Sequence, residues 1–203
     1  EVEAGHDPET DQDDQDALQV GYDFGAADTW VAIRYPFATV ARDLSNMLYL
    51  QFWAKGAADV GVFVDLGMVS EDINGDGLYQ TEDNNPHDDK LNSGEDLGLD
   101  GVDGTGDYGE NNGYLDGEDM DGDNALDTLE NYFRFANIEM ATDTYRSGDW
   151  VRYRVPLTAG DTQGDASWEV AKHVRLRLVR KAAASGVLLF DQFEIVGNRW
   201  TDA

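Results

Sequence analysis

The sequence lacks several residue types, and each absence excludes a class of protein. There is no cysteine, which excludes a disulfide framework and a thiolate metal site. No apolar run reaches about 18 residues, so we predict no membrane insertion. Basic residues are few, with 14 Lys and Arg against 42 Asp and Glu. The net charge of −28 would repel nucleic acid and anionic membranes, so neither is a predicted partner.

Sequence motifs of catalysis are also missing. The three His are dispersed, and the chain contains no G-x-S-x-G, no H-E-x-x-H and no Cys nucleophile. Paired carboxylates carry no information in so acidic a chain, although glycoside hydrolysis uses them. We therefore predict that the protein is not an enzyme. The chain starts at Glu1 without a signal peptide, and we expect a mature or excised part of something longer.

The apolar residues indicate a β-protein. Hydrophobic residues make up 41% of the chain and include five Trp, nine Tyr and eight Phe, enough for a folded core. Alternation with a period of two predicts about eight strands. These are Leu18–Phe24, Val31–Phe37, Met47–Lys55, Val60–Leu66, Tyr132–Met140, Trp150–Leu157, His173–Arg180 and Val187–Val196. The expected fold is an all-β antiparallel sandwich, of the jelly-roll type, with a long calcium-binding insertion.

The predicted domain organisation has one sandwich and two acidic segments. Residues 1–16 hold eight acids and no Lys or Arg, which is typical of a flexible tail or linker, with ligation of calcium as the alternative. The sandwich spans 17–203, and residues 71–131 form an acidic insertion within it. We also predict a hairpin turn at Gly56–Asp59 and a short helix at Trp168–Lys172 after the N-cap Ser167.

The insertion opens with a match to the twelve-residue calcium loop. Alternate side chains of that loop point inward, and a Gly permits the sharp turn, so that oxygens surround one ion. Gly77 occupies the turn position. The predicted ligands, at positions 1, 3, 5, 7, 9 and 12, are Asp72, Asn74, Asp76, the Leu78 carbonyl, Gln80 and Asp83.

The insertion closes with a second copy of the same loop. Asn124 replaces the Gly, and Asn tolerates a left-handed backbone. The predicted ligands are Asp119, Asp121, Asp123, the Ala125 carbonyl, Asp127 and Glu130. A degraded third register lies between the copies, with Glu110, Asn112, the Tyr114 carbonyl, Asp116 and Asp119. Further acids recur among glycines without a clear template, at Asp96, Asp100, Asp103 and Asp107.

The charge of the insertion favours cation binding. Residues 71–130 contain 20 Asp and Glu and a single base, Lys90, and such a segment repels itself. The alternative is a solvated, disordered acidic loop. Many oxygens on a flexible loop suit Ca²⁺ better than Mg²⁺, and we predict two or more calcium ions. Flanking strands argue against a helix–loop–helix EF-hand. Weak calcium loops are filled outside cells, so we expect an extracellular or cell-surface protein.

Three segments resemble the galactose-binding-like jelly rolls of carbohydrate-binding modules, and they span most of residues 17–200. They are Leu48-Tyr-Leu-Gln-Phe-Trp53 with Gly56, Trp168-Glu-Val-Ala-Lys172-His-Val-Arg175-Leu-Arg177, and Leu189-Phe190-Asp191-Gln-Phe193-Glu-Ile195. In those modules an Asp near the start of the last strand often coordinates a structural calcium. The resemblance implies that role for Asp191, with pairing to an Arg or the backbone as the alternative.

Three other segments are similar to β-sandwich pieces of the very large outer-membrane translocon subunit of the type IX, gliding-associated, secretion system. They are Leu66-Gly67-Met-Val-Ser70-Glu71-Asp72-Ile73, Glu95-Asp96-Leu-Gly-Leu-Asp100-Gly101 and Val196-Gly197-Asn-Arg-Trp200. Because this chain is far shorter than a translocon subunit, the resemblance implies kinship of a domain only.

Two functions remain open at this point. The first is a secreted, non-catalytic, calcium-stabilised module that binds carbohydrate through aromatic faces and neighbouring polar groups. Its candidate ligand-binding residues are Trp30, Arg34, Trp53, Trp150 and Arg152. We expect the face that carries Trp30 and Arg34 and the face that carries Trp150, Arg152 and Arg154 to form one concave wall. The second is a calcium-dependent assembly subunit of a surface layer, adhesin or filament, whose partners are neighbouring surface-protein subunits.

Overall fold

Within the residues that the structure describes, eleven strands form two antiparallel sheets. The computed structural model describes residues 3–5, 15–24, 29–36, 40–56, 60–84, 87–135, 143–182 and 185–197. The strands are β1 (Glu3–Gly5), β2 (Gln15–Asp23), β3 (Trp30–Pro36), β4 (Met47–Lys55), β5 (Val60–Met68), β6 (Asn131–Phe135), β7 (Asp143–Ser147), β8 (Trp150–Pro156), β9 (Asp161–Gln163), β10 (His173–Arg180) and β11 (Ser185–Gly197). The prediction of an all-β sandwich is confirmed. No α-helix occurs within these ranges, and none of their helical turns is long and apolar enough to cross a bilayer.

The two sheets are built from strands far apart in sequence. Sheet 1 has the order β1-β2-β11-β4-β8-β7, and sheet 2 has the order β3-β10-β5-β6-β9. Eight of the strands form nested pairs, from the outermost in sequence to the innermost: β2 with β11, β3 with β10, β4 with β8, and β5 with β6. The acidic insertion is the connection between β5 and β6, so both of its ends lie at one rim of sheet 2.

The core lies between the sheets and follows the predicted alternation. On β4, Leu50 and Phe52 point inward and are 0% and 2% exposed. The Phe52 ring lies 5.4 Å from that of Phe193 and 5.5 Å from that of Tyr153, centroid to centroid. Each fully buried side chain of this size contributes about 1.5–3 kcal/mol. Strand β4 is the centre of sheet 1, as its apolar residues on both faces predict.

A second, smaller apolar cluster covers the outer face of sheet 1. It consists of Ala17, Trp53, Trp150 and Leu189. Trp53 is 1% exposed because the Tyr145 ring packs edge-on against it at 5.9 Å and the rest of the cluster surrounds it. This cluster explains why a strand with Trp on one face and Phe on the other is buried on both.

Several local features differ from the sequence expectations, and strands β1, β7 and β9 are not among the eight predicted. Strands β4 and β5 lie in different sheets, so the segment that includes Gly56 is a crossover and the predicted hairpin is wrong. The predicted helix at 168–172 is wrong: these residues form one hydrogen-bonded turn, in which the Val170 N–H donates to the Ser167 carbonyl at 3.3 Å. The chain is extended again at Ala171, because Ala171 forms a β-bridge with Arg42. Strand β1 lies within the acidic segment 1–16 and pairs with β2. Phe37 and residues 136–140, predicted as strand ends, lie outside the described residues.

The outer face of sheet 2 carries a row of charged side chains. Arg34, Arg175, Asp65 and Arg134 stand opposite one another on β3, β10, β5 and β6. Asp65 is completely buried, and it accepts hydrogen bonds from Arg134 Nε at 2.8 Å and Arg175 Nε at 2.8 Å. Arg175 also donates to both oxygens of Glu130, at 2.9 and 3.1 Å. The row therefore ties the sheet to the end of the acidic insertion.

We expect Asp65→Asn to destabilise the protein by about 3–5 kcal/mol, because it leaves two guanidinium groups without their buried counter-charge. Urea unfolding followed by tryptophan fluorescence measures this. The matched control is Asp149→Asn on the exposed β7–β8 turn, which should change stability by no more than about 0.5 kcal/mol. Similar losses in the two variants would contradict the role assigned to the row.

Candidate metal centres

The first loop, loop A (residues 72–80), is shaped by the carboxylate of Asp72. Its Oδ1 accepts the N–H groups of Gly75 at 2.6 Å and Asp76 at 3.1 Å, and its Oδ2 accepts that of Gly77 at 3.0 Å. Gly77 adopts a φ of +73°, which a side chain would disfavour. Position 1 of the sequence pattern thus fixes the turn that the next residues follow.

The side chains at positions 3, 5 and 9 of loop A converge. The Asn74 amide nitrogen donates to the Gln80 amide oxygen at 2.6 Å, and the Gln80 nitrogen donates to Asp76 Oδ2 at 3.0 Å. At position 7, the Leu78 N–H donates to Asp76 Oδ1 at 2.7 Å. Three predicted side-chain ligands therefore lie within contact of one another.

Loop D (residues 119–127) repeats the hydrogen bonds that the backbone N–H groups of loop A donate to side chains. Asp119 Oδ1 accepts the N–H groups of Gly122 and Asp123, at 2.7 and 3.1 Å, and its Oδ2 accepts that of Asn124 at 2.7 Å. Asn124 adopts a φ of +62°, the left-handed conformation expected of it at the Gly position. The Ala125 N–H donates to Asp123 Oδ1 at 2.9 Å, as the N–H of position 7 does in loop A.

An ammonium group stands among the carboxylates of loop D. Lys172, just before β10, directs its Nζ at Asp121, at Asp127 (2.6 Å) and at Asp123 (3.4 Å). Burial by itself disfavours the charged amine, but hydrogen bonds to Asp121 and Asp127 outweigh it and raise the pKa of Lys172 above its ordinary value. Positions 3, 5 and 9 of this loop therefore share one cation supplied by the chain.

Loops A and D are joined by a glutamate that the sequence analysis did not single out. Glu118 is completely buried and precedes the first residue of loop D. Its two oxygens accept N–H groups of the other loop, from Ile73 at 2.8 Å and Gln80 at 3.1 Å. Its own N–H donates to the Gln80 carbonyl at 3.0 Å. The carboxylate thus closes loop A from outside it.

The relation is reciprocal. Glu71, also completely buried, precedes loop A and accepts the N–H groups of Met120 and Asp127 in loop D, each at 3.1 Å. The Glu71 N–H donates to the Asp127 carbonyl at 2.7 Å. Burial raises the pKa of the Glu71 carboxyl above its ordinary value, although the two backbone donors act the other way. The two loops form a pair with approximate twofold symmetry.

Asp83 belongs to a second pair of loops and does not close loop A. Its oxygens accept the N–H groups of Asp88 at 3.1 Å and Asp89 at 3.0 Å, so it heads its own loop, loop B (residues 83–84 and 87–92). Glu95 reaches this loop by accepting the Asn92 N–H at 2.7 Å. The sequence pattern placed Asp83 at position 12 because the twelve-residue template assumes that all ligands come from one continuous loop.

Loop C (Asp96 with residues 110–116) is discontinuous in sequence. Asp96 accepts the N–H groups of Asn112 and Gly113, each at 2.9 Å, the role that Asp72 and Asp119 have in their loops. The Asn112 amide donates to Asp116 at 2.6 Å, and the Tyr114 N–H donates to Asn112 at 2.7 Å. The degraded third register is therefore a loop whose first residue comes from sixteen positions upstream.

Glu82 joins loop C to loop B. It is completely buried, and its oxygens accept the N–H groups of Gly98 at 2.6 Å and Asp116 at 3.0 Å. Every loop is thus headed by a Glu-Asp pair, at 71–72, 82–83, 95–96 and 118–119. In each pair the Asp shapes its own loop and the Glu bonds to another. This repeated dipeptide is the sequence signal that could have revealed the pairing.

The remaining predicted ligands lie elsewhere in the insertion. Asp107 accepts the Asp100 N–H at 2.7 Å, and Glu110 accepts the N–H groups of Gly104 and Gly106, which lower the pKa of its carboxyl. These contacts close a minor turn on which Asp103 is exposed. Glu130, predicted at position 12 of loop D, bonds with both oxygens to Arg175, outside that loop.

His173 lies beside loop D and is completely buried. Its Nδ1 accepts the Val69 N–H at 3.3 Å, which leaves the hydrogen of the neutral ring on Nε2. Among the described residues that nitrogen has no hydrogen-bond partner, and it is 3.8 Å from Glu71 Oε1. Burial and the neighbouring Lys172 lower the pKa of His173. Atoms that could bind a metal lie close together in one group, made of Glu71, Asp121, Asp127 and His173. In this ring tautomer, however, the Nε2 of His173 carries a hydrogen, so it is a hydrogen-bond donor and not a metal ligand.

The predicted carbohydrate residues are divided between opposite faces of the sandwich. Trp30 and Arg34 lie on the outside of sheet 2, whereas Trp53, Trp150 and Arg152 lie on the outside of sheet 1, so the expected single concave wall is wrong. Trp53 and Trp150 are buried and offer no ring face to solvent. Trp30 is half exposed beneath the guanidinium of Arg177, Arg34 donates to the Ser70 carbonyl at 2.8 Å, and Arg152 lies over the Tyr145 ring.

Asp191 lies on the wall of a groove between the sheets. The groove has a volume of about 600 Å³ and is lined by residues of β2, β3, β10 and β11. Its inward-facing residues Leu18, Ile33 and Tyr35 are exposed. A bulge in β11 gives Gln192 a φ of +47°, and the Gln192 N–H donates to Asp191 Oδ1 at 2.7 Å. A strained non-glycine residue beside a groove is a feature of binding sites.

Comparison with known proteins identifies no relative: no protein-family model matches the chain, and no curated protein matches it.

We expect Glu118→Gln to weaken loop A, because the amide keeps one acceptor and turns a donor toward the second N–H group. The loss should be about 1–3 kcal/mol of stability. Hydrogen exchange should accelerate at the amides of Ile73 and Gln80. The matched control, Glu169→Gln at an exposed position, should leave both amides unchanged. Unchanged exchange in both variants would refute the bridging role.

Proposed function

We propose that this protein is a secreted, non-catalytic binding module whose acidic insertion is stabilised by calcium. The observation that carries the proposal is the repetition, in loops A and D, of one capping pattern around side chains at positions 3, 5 and 9. Backbone donors hold the carboxylate of position 1, and oxygens of the following residues converge. Such an arrangement suits a large, hard cation that takes 6–8 oxygen ligands.

Loop A is the strongest candidate for a calcium ion. Its convergent groups are one carboxylate and two amides, besides the capping Asp72, and no Lys or Arg of the described residues pairs with its carboxylates. Amide and carboxylate oxygens on a flexible loop favour Ca²⁺ over Mg²⁺, which demands a rigid octahedron. Affinities of extracellular calcium modules, in the range of about 10⁻⁴–10⁻³ M, suit a site that is filled outside cells.

We further propose that the sandwich is a jelly roll. Support comes from the pairing of first strand with last, β2 with β11, continued inward through β3 with β10 and β4 with β8 to β5 with β6. Such pairing describes one long antiparallel ribbon rolled into two sheets, as in two joined Greek keys. The insertion then occupies the tip of that ribbon.

Carbohydrate is the proposed ligand, and the groove beside Asp191 is its proposed site. A sugar needs an aromatic face for its apolar side and polar groups for its hydroxyls. Tyr35 is 67% exposed at the groove, and Asp191 and Gln192 line the opposite wall. The groove replaces the buried Trp53 and Trp150 as the favoured location.

A second candidate function is calcium-dependent assembly into a surface structure. The observation that favours it is the exposure of three inward-facing apolar residues at the mouth of the groove, Leu18 (53%), Ile33 (40%) and Tyr35 (67%). Contiguous exposed apolar residues often mark contacts between proteins. Light scattering distinguishes the two: subunits would associate in calcium and dissociate in chelator, whereas a sugar-binding module would remain a monomer.

Calcium at 10 mM should raise the melting temperature above that in chelator. For a dissociation constant of about 0.1 mM, each site adds about 2.7 kcal/mol, or about 5–10 °C for a chain of this length. Differential scanning calorimetry measures the shift. Asp76→Ala should lose it, and Asp149→Ala should keep it. An unchanged melting temperature of the unaltered protein would refute calcium stabilisation.

Tyr35→Ala should weaken binding of any glycan identified on an array by at least about tenfold, because it removes the exposed aromatic face of the groove. Tyr145→Ala, which removes a 54% exposed ring from the edge strand β7, is the control and should bind normally. Titration calorimetry with the isolated glycan gives both constants. Loss of binding in the control alone would move the site to sheet 1.

A further inference from the structure

The paired loops A and D differ in the charge that they gather. At positions 3, 5 and 9, loop A has Asn74, Asp76 and Gln80, which carry one negative charge together. The same positions of loop D are Asp121, Asp123 and Asp127, which carry three. Since the backbone of the two loops is held in the same way, loop D has the greater need of a cation.

The chain itself supplies that cation. Lys172 Nζ contacts all three of these carboxylates, and the Lys172 side chain is only 7% exposed. The backbone at Lys172 is held in place, because the Lys172 N–H donates to the Gly67 carbonyl at 3.0 Å and Ala171 forms a β-bridge with Arg42. Lys172 thus enters loop D from the residue before β10, an interior strand of sheet 2, whereas Lys90 of the insertion is exposed and lies 3.8 Å from Asp88.

We propose that Lys172 is the resident cation of loop D, and that a divalent ion binds this loop only by displacing it. This inference rests on the proposed function, calcium binding by the acidic loops. A tethered ammonium competes at a high effective concentration, so it lowers the apparent affinity of loop D for a free ion. Loop D then remains docked on the sandwich without calcium, while loop A is the calcium-dependent member of the pair.

The test is a calcium titration by isothermal calorimetry of the unaltered protein, Lys172→Met and Lys90→Met. The two variants lose the same charge, and Met keeps most of the length of the Lys stem. Lys172→Met should gain one calcium site, or bind at one site at least about tenfold more tightly, while Lys90→Met should match the unaltered protein. Equal titrations of the two variants would overturn the inference.

A measurement on the unaltered protein guards against misfolding of the variant. The chain has four Lys, at 55, 90, 172 and 181, so nitrogen-15 labelling of lysine gives few signals. In chelator the Nζ protons of Lys172 should exchange slowly and resonate apart from those of Lys90. A Lys172 signal with the exchange rate and shift of Lys90 would overturn the inference.

The same experiments separate this inference from the proposed function. If the unaltered protein binds calcium and Asp76→Ala abolishes it, but Lys172→Met changes nothing, calcium binding stands and the resident cation is refuted. If the unaltered protein binds no calcium, the proposed function fails. A site that then appears in Lys172→Met still supports the inference, and its absence overturns it.

Discussion

The structure of the insertion depends on how the repulsion among its carboxylates is offset. Residues 71–130 hold 20 acidic side chains and one Lys, yet three of the glutamates are completely buried. What offsets the repulsion first is the backbone: Asp72 and Asp119 each accept three N–H groups, and Glu71, Glu82 and Glu118 each accept two. Glycine-rich turns expose these donors because the chain makes few regular hydrogen bonds there. Hydrogen bonds to a charged acceptor are worth about 1.5–3 kcal/mol each, more than those between neutral groups.

The Glu-Asp pairs couple the loops of the insertion two by two, loop A with loop D and loop B with loop C. A carboxylate that bonds its own loop shapes a turn, whereas a carboxylate that bonds another loop fixes the distance between two turns. Because Glu71 and Glu118 act in opposite directions, neither loop A nor loop D can open without loss of a buried carboxylate's partners. Glu82 couples loops B and C in a similar way. Asp116 takes part twice, because its N–H donates to Glu82 and its side chain is one of the predicted metal ligands.

Contacts to the sandwich give the insertion its orientation. Arg175 joins Asp65 of β5 to Glu130, and Lys172 joins the start of β10 to loop D. Arg175 lies on the outer face of sheet 2, and Lys172 lies just before β10 of the same sheet. Positive charge on the sheet therefore faces negative charge on the loops. The groove near Asp191 lies between the sheets and shares no residue with these contacts. The proposed cation sites and the proposed ligand groove therefore lie in separate parts of the described structure.

The sequence by itself indicated eight of the eleven described strands and the residues that shape loops A and D, but it did not indicate β1, β7 or β9. Alternation predicted β4 and β10 to the residue, because side chains of a strand alternate between core and surface, and the spacing of Asp72 and Asp119 predicted two matching turns. Only the tertiary structure decided which strands are neighbours, since β4 and β5 are adjacent in sequence and lie in different sheets. It also decided that Asp96 heads a loop sixteen residues away and that Lys172 enters loop D. These relations join residues distant in the chain, and no local periodicity records them.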